Sequence, residues 1–119
     1  MIIKPMIRNN ICINSHPAGC AQSVRNGIAY AVKHLAGGKD PAEAAKAPAG
    51  FPRLALIIGC STGYGLASRI CAAFGYGAAT VGVSFEKPAG ASKPGTPGFY
   101  NNLAFDAEAA KAGLPFKTL

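Results

Sequence analysis

Three glycines in the stretch Gly59-Cys60-Ser61-Thr62-Gly63-Tyr64-Gly65 stand at G-x-x-x-G-x-G spacing. A strand-to-helix turn built this way can receive the pyrophosphate of a dinucleotide. Gly59 permits a sharp exit from the strand, Gly63 presents no side chain to obstruct the phosphates, and Gly65 lets helix and sheet pack closely. Backbone N–H groups at the start of the helix then face the anion, with the helix dipole behind them. The hydroxyls of Ser61 and Thr62 are expected to add hydrogen bonds. A purely structural tight turn is the alternative whenever glycines are the whole signal. Glu86 is the second chemical feature. A carboxylate at the end of a following strand accepts hydrogen bonds from ribose hydroxyls and repels a 2′-phosphate, which favours NADH over NADPH. Its distance from Gly59 exceeds the usual spacing of about 20 residues, and Lys87 beside it leaves some tolerance for NADPH. Tyr64, between two glycines, reads as a residue that packs on or brushes the cofactor. His16 and Cys20 read as structural. No Ser/His/Asp set, paired carboxylates or metal cluster emerges, so neither a catalytic nor a metal-binding residue is assigned.

The elements around this turn supply the context that a glycine pattern alone lacks. Leu54 to Ile58 is a continuous apolar run, as expected of a parallel strand covered on both faces. After the turn, Leu66, Ile70, Ala73 and Phe74 share one helical face, and Gly75 and Gly77 end the helix. A second strand is expected from about Ala79 to Phe85. A Pro/Gly loop follows, then a helix from Leu103 to Ala112 capped by Asn101 or Asn102 and closed by Gly113. Pro115 to Leu119 reads as the start of a third strand. Strand, helix, strand, helix, strand is half of a Rossmann sheet.

Upstream, Met1 to Ile13 alternates weakly around five isoleucines and predicts two short strands or a hairpin-like lead-in. His16-Pro17 and Gly19 read as a turn. Val24, Ile28, Val32 and Leu35 predict an amphipathic helix from about Gln22 to Leu35. Residues 36–53 read as a surface insertion. Within it, Asp40-Pro41-Ala42-Glu43 forms a capping pattern for a short helix through about Ala47, broken by Pro48, Gly50 and Pro52. The expected fold is therefore α/β: a partial Rossmann parallel sheet of the short-chain dehydrogenase/reductase kind, with flanking helices and a short N-terminal β lead-in. Residues 1–53 would form the lead-in, helix and insertion, and 54–119 the first half of the nucleotide-binding unit, in a single truncated domain.

Composition narrows the function classes. The 119-residue chain is 50% apolar and 14% charged, far from the composition of a disordered segment. No apolar run reaches the roughly 18 residues of a membrane span, and the start lacks the order of a signal peptide, so a soluble cytoplasmic protein is expected. The four cysteines form no C-x-x-C pair and no zinc spacing with His16 or His34, and are read as reduced and structural. The net charge of +7 is scattered singly along the chain without aromatic interleaving, which argues against a nucleic-acid partner and suits a phosphate-rich small ligand.

Three long strings carry a family resemblance: MIIKPMIRNNICIN with His16-Pro17-x-Gly19-Cys20, LIIGCSTGYGLASRICAAFGYGAATVGVSFEKP, and KPGTPGFYNNLAF from Lys93 to Phe105. They cover nearly everything except about Leu35 to Pro52. The chain resembles the N-terminal part of the trans-2-enoyl-CoA reductase family, which includes enoyl-acyl-carrier-protein reductases. The resemblance implies an enlarged short-chain-reductase fold that transfers hydride from NADH to the β-carbon of an enoyl-CoA or enoyl-ACP substrate. It places the turn from Gly59 through Cys60, Ser61, Thr62, Gly63 and Tyr64 to Gly65 against the pyrophosphate and nicotinamide side, and Phe85 and Glu86 against the adenosine. Phe99 replaces the family's usual tryptophan and keeps an aromatic ring. The family's catalytic tyrosine and lysine fall beyond position 119, so this chain is expected to supply cofactor binding and to be inactive alone. The intact form is expected to be monomeric, and the fragment, with an open sheet, to self-associate. The alternative is a non-catalytic module that binds NADH.

Overall fold

The computed structural model describes residues 4–44 and 50–119. Its first pairing is antiparallel, between β1 (Ile7–Arg8) and β2 (Ile11–Cys12). Asn9 turns the chain between them at a φ of 57°, a left-handed conformation that asparagine tolerates better than most residues. The expected hairpin is thus present, and Met1 to Ile3 lie outside the described residues.

Helix α1 (Pro17–His34) begins five residues before the expected start at Gln22. His16-Pro17 is its N-terminus, not a separate turn. His16 Nδ1 accepts a hydrogen bond from the Gly19 N–H at 2.9 Å, and Pro17 supplies a helical φ where no N–H is needed. At the other end Gly37 and Gly38 take φ values of 64° and 76°, and the Gly38 N–H donates to the Val32 carbonyl at 2.9 Å. The short helix α2 (Pro41–Ala44) is capped as expected, Asp40 Oδ1 accepting from the Ala42 N–H at 2.9 Å. The expected extension to Ala47 and the break at Pro48 fall on residues 45–49, outside the described residues.

The central sheet is parallel, in the order β3 (Leu54–Ile58), β4 (Ala79–Val83), β5 (Phe116–Thr118). Leu56 pairs with Val81, and Val81 with Lys117. β3 leads into α3 (Gly63–Ile70), which runs on into a π-helical turn, Cys71–Gly75. Gly75 is required there, because a Cβ would come within 2.7 Å of the Leu35 side chain at the end of α1. β4 ends at Val83, two residues short of the expected Phe85. The last helix, α4 (Pro97–Lys111), starts six residues earlier than expected, with Thr96 as N-cap and Pro97 in its first turn. Asn101 and Asn102 are therefore inside the helix and cap nothing. Gly113, at a φ of 67°, closes it: its N–H donates to Ala110 and that of Leu114 to Ala109, a Schellman ending.

Helices α3 and α4 lie on one face of the sheet, and α1 packs against both. Their core includes Val24, Ala31, Ile70, Ala73, Phe74, Phe105, Ala109 and Leu114, with Phe74 and Phe105 edge to face at 5.7 Å. The opposite face is bare: Leu54, Leu56 and Ile58 are 64%, 65% and 79% exposed. The expectation that this strand is covered on both faces is not met. Two successive right-handed crossovers running the same way along a parallel sheet deliver both helices to the same side.

Beneath the covered face lies Arg69, fully buried. Its guanidinium donates to Thr118 Oγ1 at 2.9 Å and to the Lys117 carbonyl at 3.1 Å, and stands 3.7 Å from Asp106 Oδ1. Its Cζ lies 4.0 Å from the centre of the Phe105 ring. Burial lowers the arginine's pKa, while the nearby Cys60 and Asp106 raise it. Removing one partner of a buried ion pair leaves an uncompensated charge. Asp106→Ala is therefore expected to cost roughly 2 kcal/mol, less than a fully buried pair because Asp106 is partly exposed. Adding Arg69→Met should recover part of that loss in urea denaturation. No recovery would show that Arg69 acts through packing, not through its charge.

Candidate functional site

The glycine turn joins the carboxyl end of β3 to the amino end of α3, and its three glycines obey different constraints. Gly59 and Gly63 adopt φ values of 79° and 53°, and a Cβ at either would meet open space. They are needed for conformation. Gly65 has an ordinary φ, but a Cβ there would overlap the Gly59 carbonyl oxygen, so it is needed for proximity. The Gly59 N–H donates to the Val83 carbonyl at 2.8 Å, carrying the β3–β4 ladder into the turn.

Thr62 is the N-cap of α3 in extended conformation, and its side chain makes no capping bond. The first intrahelical bond runs from the Leu66 N–H to the Thr62 carbonyl at 3.2 Å. The amides of Gly63, Tyr64 and Gly65 thus have no intrahelical acceptor. They point out of the helix end beside two glycines that leave the approach open, which is a cradle for an anion.

The side chains of the turn divide their roles. Cys60, expected to face the cofactor, is fully buried, with Sγ 3.8 Å from Arg69 Nη1 and 3.7 Å from Asn102 Oδ1. Its N–H donates to the Val83 carbonyl at 3.3 Å, so it faces the interior and the β3–β4 ladder, not the open side. Ser61 is also buried. Its hydroxyl, expected to serve the phosphates, instead donates to Glu86 Oε1, and its carbonyl accepts from Asn101 Nδ2 at 2.9 Å. Tyr64 and Phe85 stand 95% and 89% exposed, leaving both rings open to a ligand. Lys87 Nζ lies 5.4 Å from the centre of the Phe85 ring.

Glu86 follows the end of β4 and reaches back to the glycine turn. Besides Ser61, it accepts a hydrogen bond on Oε2 from Thr96 Oγ1. Its carboxylate lies against Gly98 in the first turn of α4, where any Cβ would overlap it. Thr96 in turn accepts from the Lys87 N–H at 3.2 Å, and its own N–H donates to the Lys87 carbonyl at 3.0 Å. Asn102, from the same helix, donates to Ser84 Oγ at 2.8 Å. The sequence reading missed Thr96, Gly98, Asn101, Asn102 and Arg69 as parts of this assembly. Among the described residues no three of His, Cys, Asp and Glu gather to hold a metal ion, and all four cysteines are free thiols.

A parallel strand, a glycine turn, an uncapped helix N-terminus and a carboxylate at the next strand's end define a nucleotide-binding half-Rossmann unit. The chain belongs to the family of the NAD(P)H binding domain of trans-2-enoyl-CoA reductase, which matches residues 2–91. Over 114 residues, 96% of this chain, it is 59% identical to the trans-2-enoyl-CoA reductase [NADH] of Treponema denticola, of which it covers 27%. An enoyl-[acyl-carrier-protein] reductase [NADH] of Burkholderia mallei is 54% identical over 114 residues, with 26% of its length covered. The crystal structure of the Treponema denticola trans-2-enoyl-CoA reductase in complex with NAD superposes with a TM-score of 0.82 at 56% identity. That match takes in 100% of this chain and 28% of the crystallised one. The chain thus spans about a quarter of the length of the curated relatives it matches.

The two kinds of glycine should separate by mutation. Gly63→Asn, at an open left-handed position that asparagine tolerates, is expected to cost about 1 kcal/mol or less. Gly65→Ala forces a carbon into a backbone carbonyl and should cost roughly 3 kcal/mol or more. Equal losses in thermal denaturation would contradict the distinction.

Proposed function

We propose that this chain is the cofactor-binding N-terminal segment of an NADH-dependent reductase acting on trans-2-enoyl thioesters of coenzyme A or acyl-carrier protein. The observation that carries this reading is the direct bond from Ser61, in the glycine turn, to Glu86, just beyond the end of β4. It brings an anion cradle and a ribose-reading carboxylate into one site. The reduced nicotinamide supplies the hydride that adds to the β-carbon of the thioester. The glycine turn from Gly59 to Gly65, with the main-chain groups at Thr62, Gly63, Tyr64 and Gly65 open to the ligand, holds the pyrophosphate. Tyr64 packs on the cofactor, Phe85 covers the adenosine, and Glu86 accepts from the ribose hydroxyls while opposing a 2′-phosphate. No residue of this chain is assigned a catalytic role.

The bare face of Leu54, Leu56 and Ile58 favours a segment of an enzyme over a self-sufficient NADH-sensing module, because parallel sheets are normally covered on both faces. The same stripe should make the chain self-associate when alone. Leu56→Lys with Ile58→Lys is expected to raise the monomer fraction in analytical ultracentrifugation, and an unchanged distribution would place the contact elsewhere. A cytoplasmic enzyme of fatty-acid synthesis or reductive chain elongation fits this reading. In the described residues no helix is long and apolar enough to cross a membrane.

The reading is tested by titrating the chain with NADH and NADPH, following cofactor fluorescence. Saturable NADH binding is expected, abolished by Gly63→Trp, whose side chain would fill the open approach. Glu86→Ala should shift preference toward NADPH by about tenfold, the scale of a hydrogen bond to a charged group. A folded chain that ignores both cofactors would sink the proposal.

A further inference from the structure

The carboxylate of Glu86 is not a free side chain at a strand end. One oxygen accepts from Ser61 Oγ and the other from Thr96 Oγ1. Behind it, Gly98 leaves a space that a single carbon would close. Thr96 is itself fixed, because its main chain and hydroxyl both bond to Lys87, the residue after Glu86. The bracket thus closes on the residue it orients.

We infer that Thr96 is a specificity-positioning residue: its hydroxyl, with the gap left by Gly98, holds Glu86 in the orientation that discriminates against a 2′-phosphate. This rests on the reading of Glu86 as the ribose-facing carboxylate. An ionised carboxylate has about four acceptor positions. One bond to Ser61 and one to Thr96 leave two, enough for the two hydroxyls of an adenosine ribose. Discrimination against a 2′-phosphate depends on the carboxylate staying in place, since a side chain free to rotate away relieves the repulsion. Lys87, adjacent in the chain, would then meet the phosphate. The partly buried carboxylate also sits by the first turn of α4, where the helix dipole favours negative charge. Thr96 and Gly98 touch Glu86, and their effect on cofactor choice runs through it.

The experiment compares the NADH and NADPH affinities of the chain with those of its Thr96→Val, Thr96→Ser, Gly98→Ala and Glu86→Ala variants, circular dichroism confirming that each is folded. Thr96→Val, which keeps shape and loses the hydroxyl, should lower the NADH-over-NADPH preference by about tenfold, the scale of a bond to a charged group. Thr96→Ser should restore the wild-type ratio. Gly98→Ala keeps the threonine and suits a helix, so it should fold even where Thr96→Val does not, and it should lower the ratio by displacing the carboxylate. A role confined to bracing the loop would weaken both cofactors equally and leave the ratio unchanged. An unchanged ratio in Thr96→Val and Gly98→Ala, with a collapsed ratio in Glu86→Ala, overturns this inference and leaves the reading of Glu86 standing. An unchanged ratio in Glu86→Ala overturns that reading, and this inference with it.

Discussion

A single buried cation organises the covered side of this sheet. Arg69 leaves α3 and spreads its guanidinium under β4 and β5, where Gly82 provides the room. A Cβ at Gly82 would lie 2.6 Å from both Arg69 Cζ and Cys60 Sγ. A buried charge is tolerated only with good partners, and those of Arg69 come from nearly every neighbouring element. Thr80 Oγ1 lies 3.4 Å away on β4, the Lys117 carbonyl and Thr118 hydroxyl belong to β5, and Asp106 and Phe105 belong to α4. Thr118 Oγ1 also donates to Asp106 Oδ1 at 2.6 Å, so strand and helix are tied to each other as well as to the arginine. β5 is only three residues long, and these bonds hold its end where a short ladder would fray.

The same anchor reaches the functional turn. Cys60 is the first residue past Gly59, and its sulfur points inward to Arg69 and Asn102. With that side chain drawn into the interior, the backbone from Thr62 onward is left on the open side. Two neighbours on α4 extend the connection. Asn102 bonds to Ser84 at the end of β4, and Asn101 to the Ser61 carbonyl. Helix α4 is therefore more than cover for the sheet. Its first two turns contact the end of β4, the carboxylate that follows it, and the glycine turn of β3.

The glycine turn was legible because its signal is local: each of Gly59, Gly63 and Gly65 answers to a constraint within a few residues. β3 and β4 were legible from apolar runs bounded by glycine and proline, and β5 from its place after the helix-ending Gly113 and Pro115. The starts of α1 and α4 were not, although Asp40-Pro41 was read correctly as cap and first helical residue. His16-Pro17 and Thr96-Pro97 have the same form, but neither is followed closely by an apolar stripe, and each proline then reads as loop. Arg69 and Asn102 were hidden by their own polarity. Position 69 lies on the stripe of Leu66, Ile70, Ala73 and Phe74, and position 102 four before Asp106 and three before buried Phe105. Spacing marks both as core-facing, while residue type marks them as solvent-facing. A polar residue on an apolar stripe signals a buried partner elsewhere, and the partners lie on other elements, from 9 residues away at Cys60 to 49 at Thr118. The bare face of β3 follows from crossover topology, which no local pattern reports.

On the proposed reading, recognition of the two parts of the cofactor rests on different physics. The pyrophosphate would meet main-chain amides and glycine gaps, so side-chain changes at the exposed Thr62 or Tyr64 leave the amides in place. The ribose would meet one carboxylate, whose position depends on a serine from the turn, a threonine at a helix start and the missing side chain at Gly98. Those three contacts come from two separate elements, the glycine turn and the start of α4, joined by the bond from Asn101 to the Ser61 carbonyl. Cofactor choice can therefore change through the residues that hold that carboxylate, without a change in the carboxylate itself. The cradle, in contrast, tolerates little at Gly65, where the limit is a carbonyl oxygen that cannot move without unpicking the strand before it.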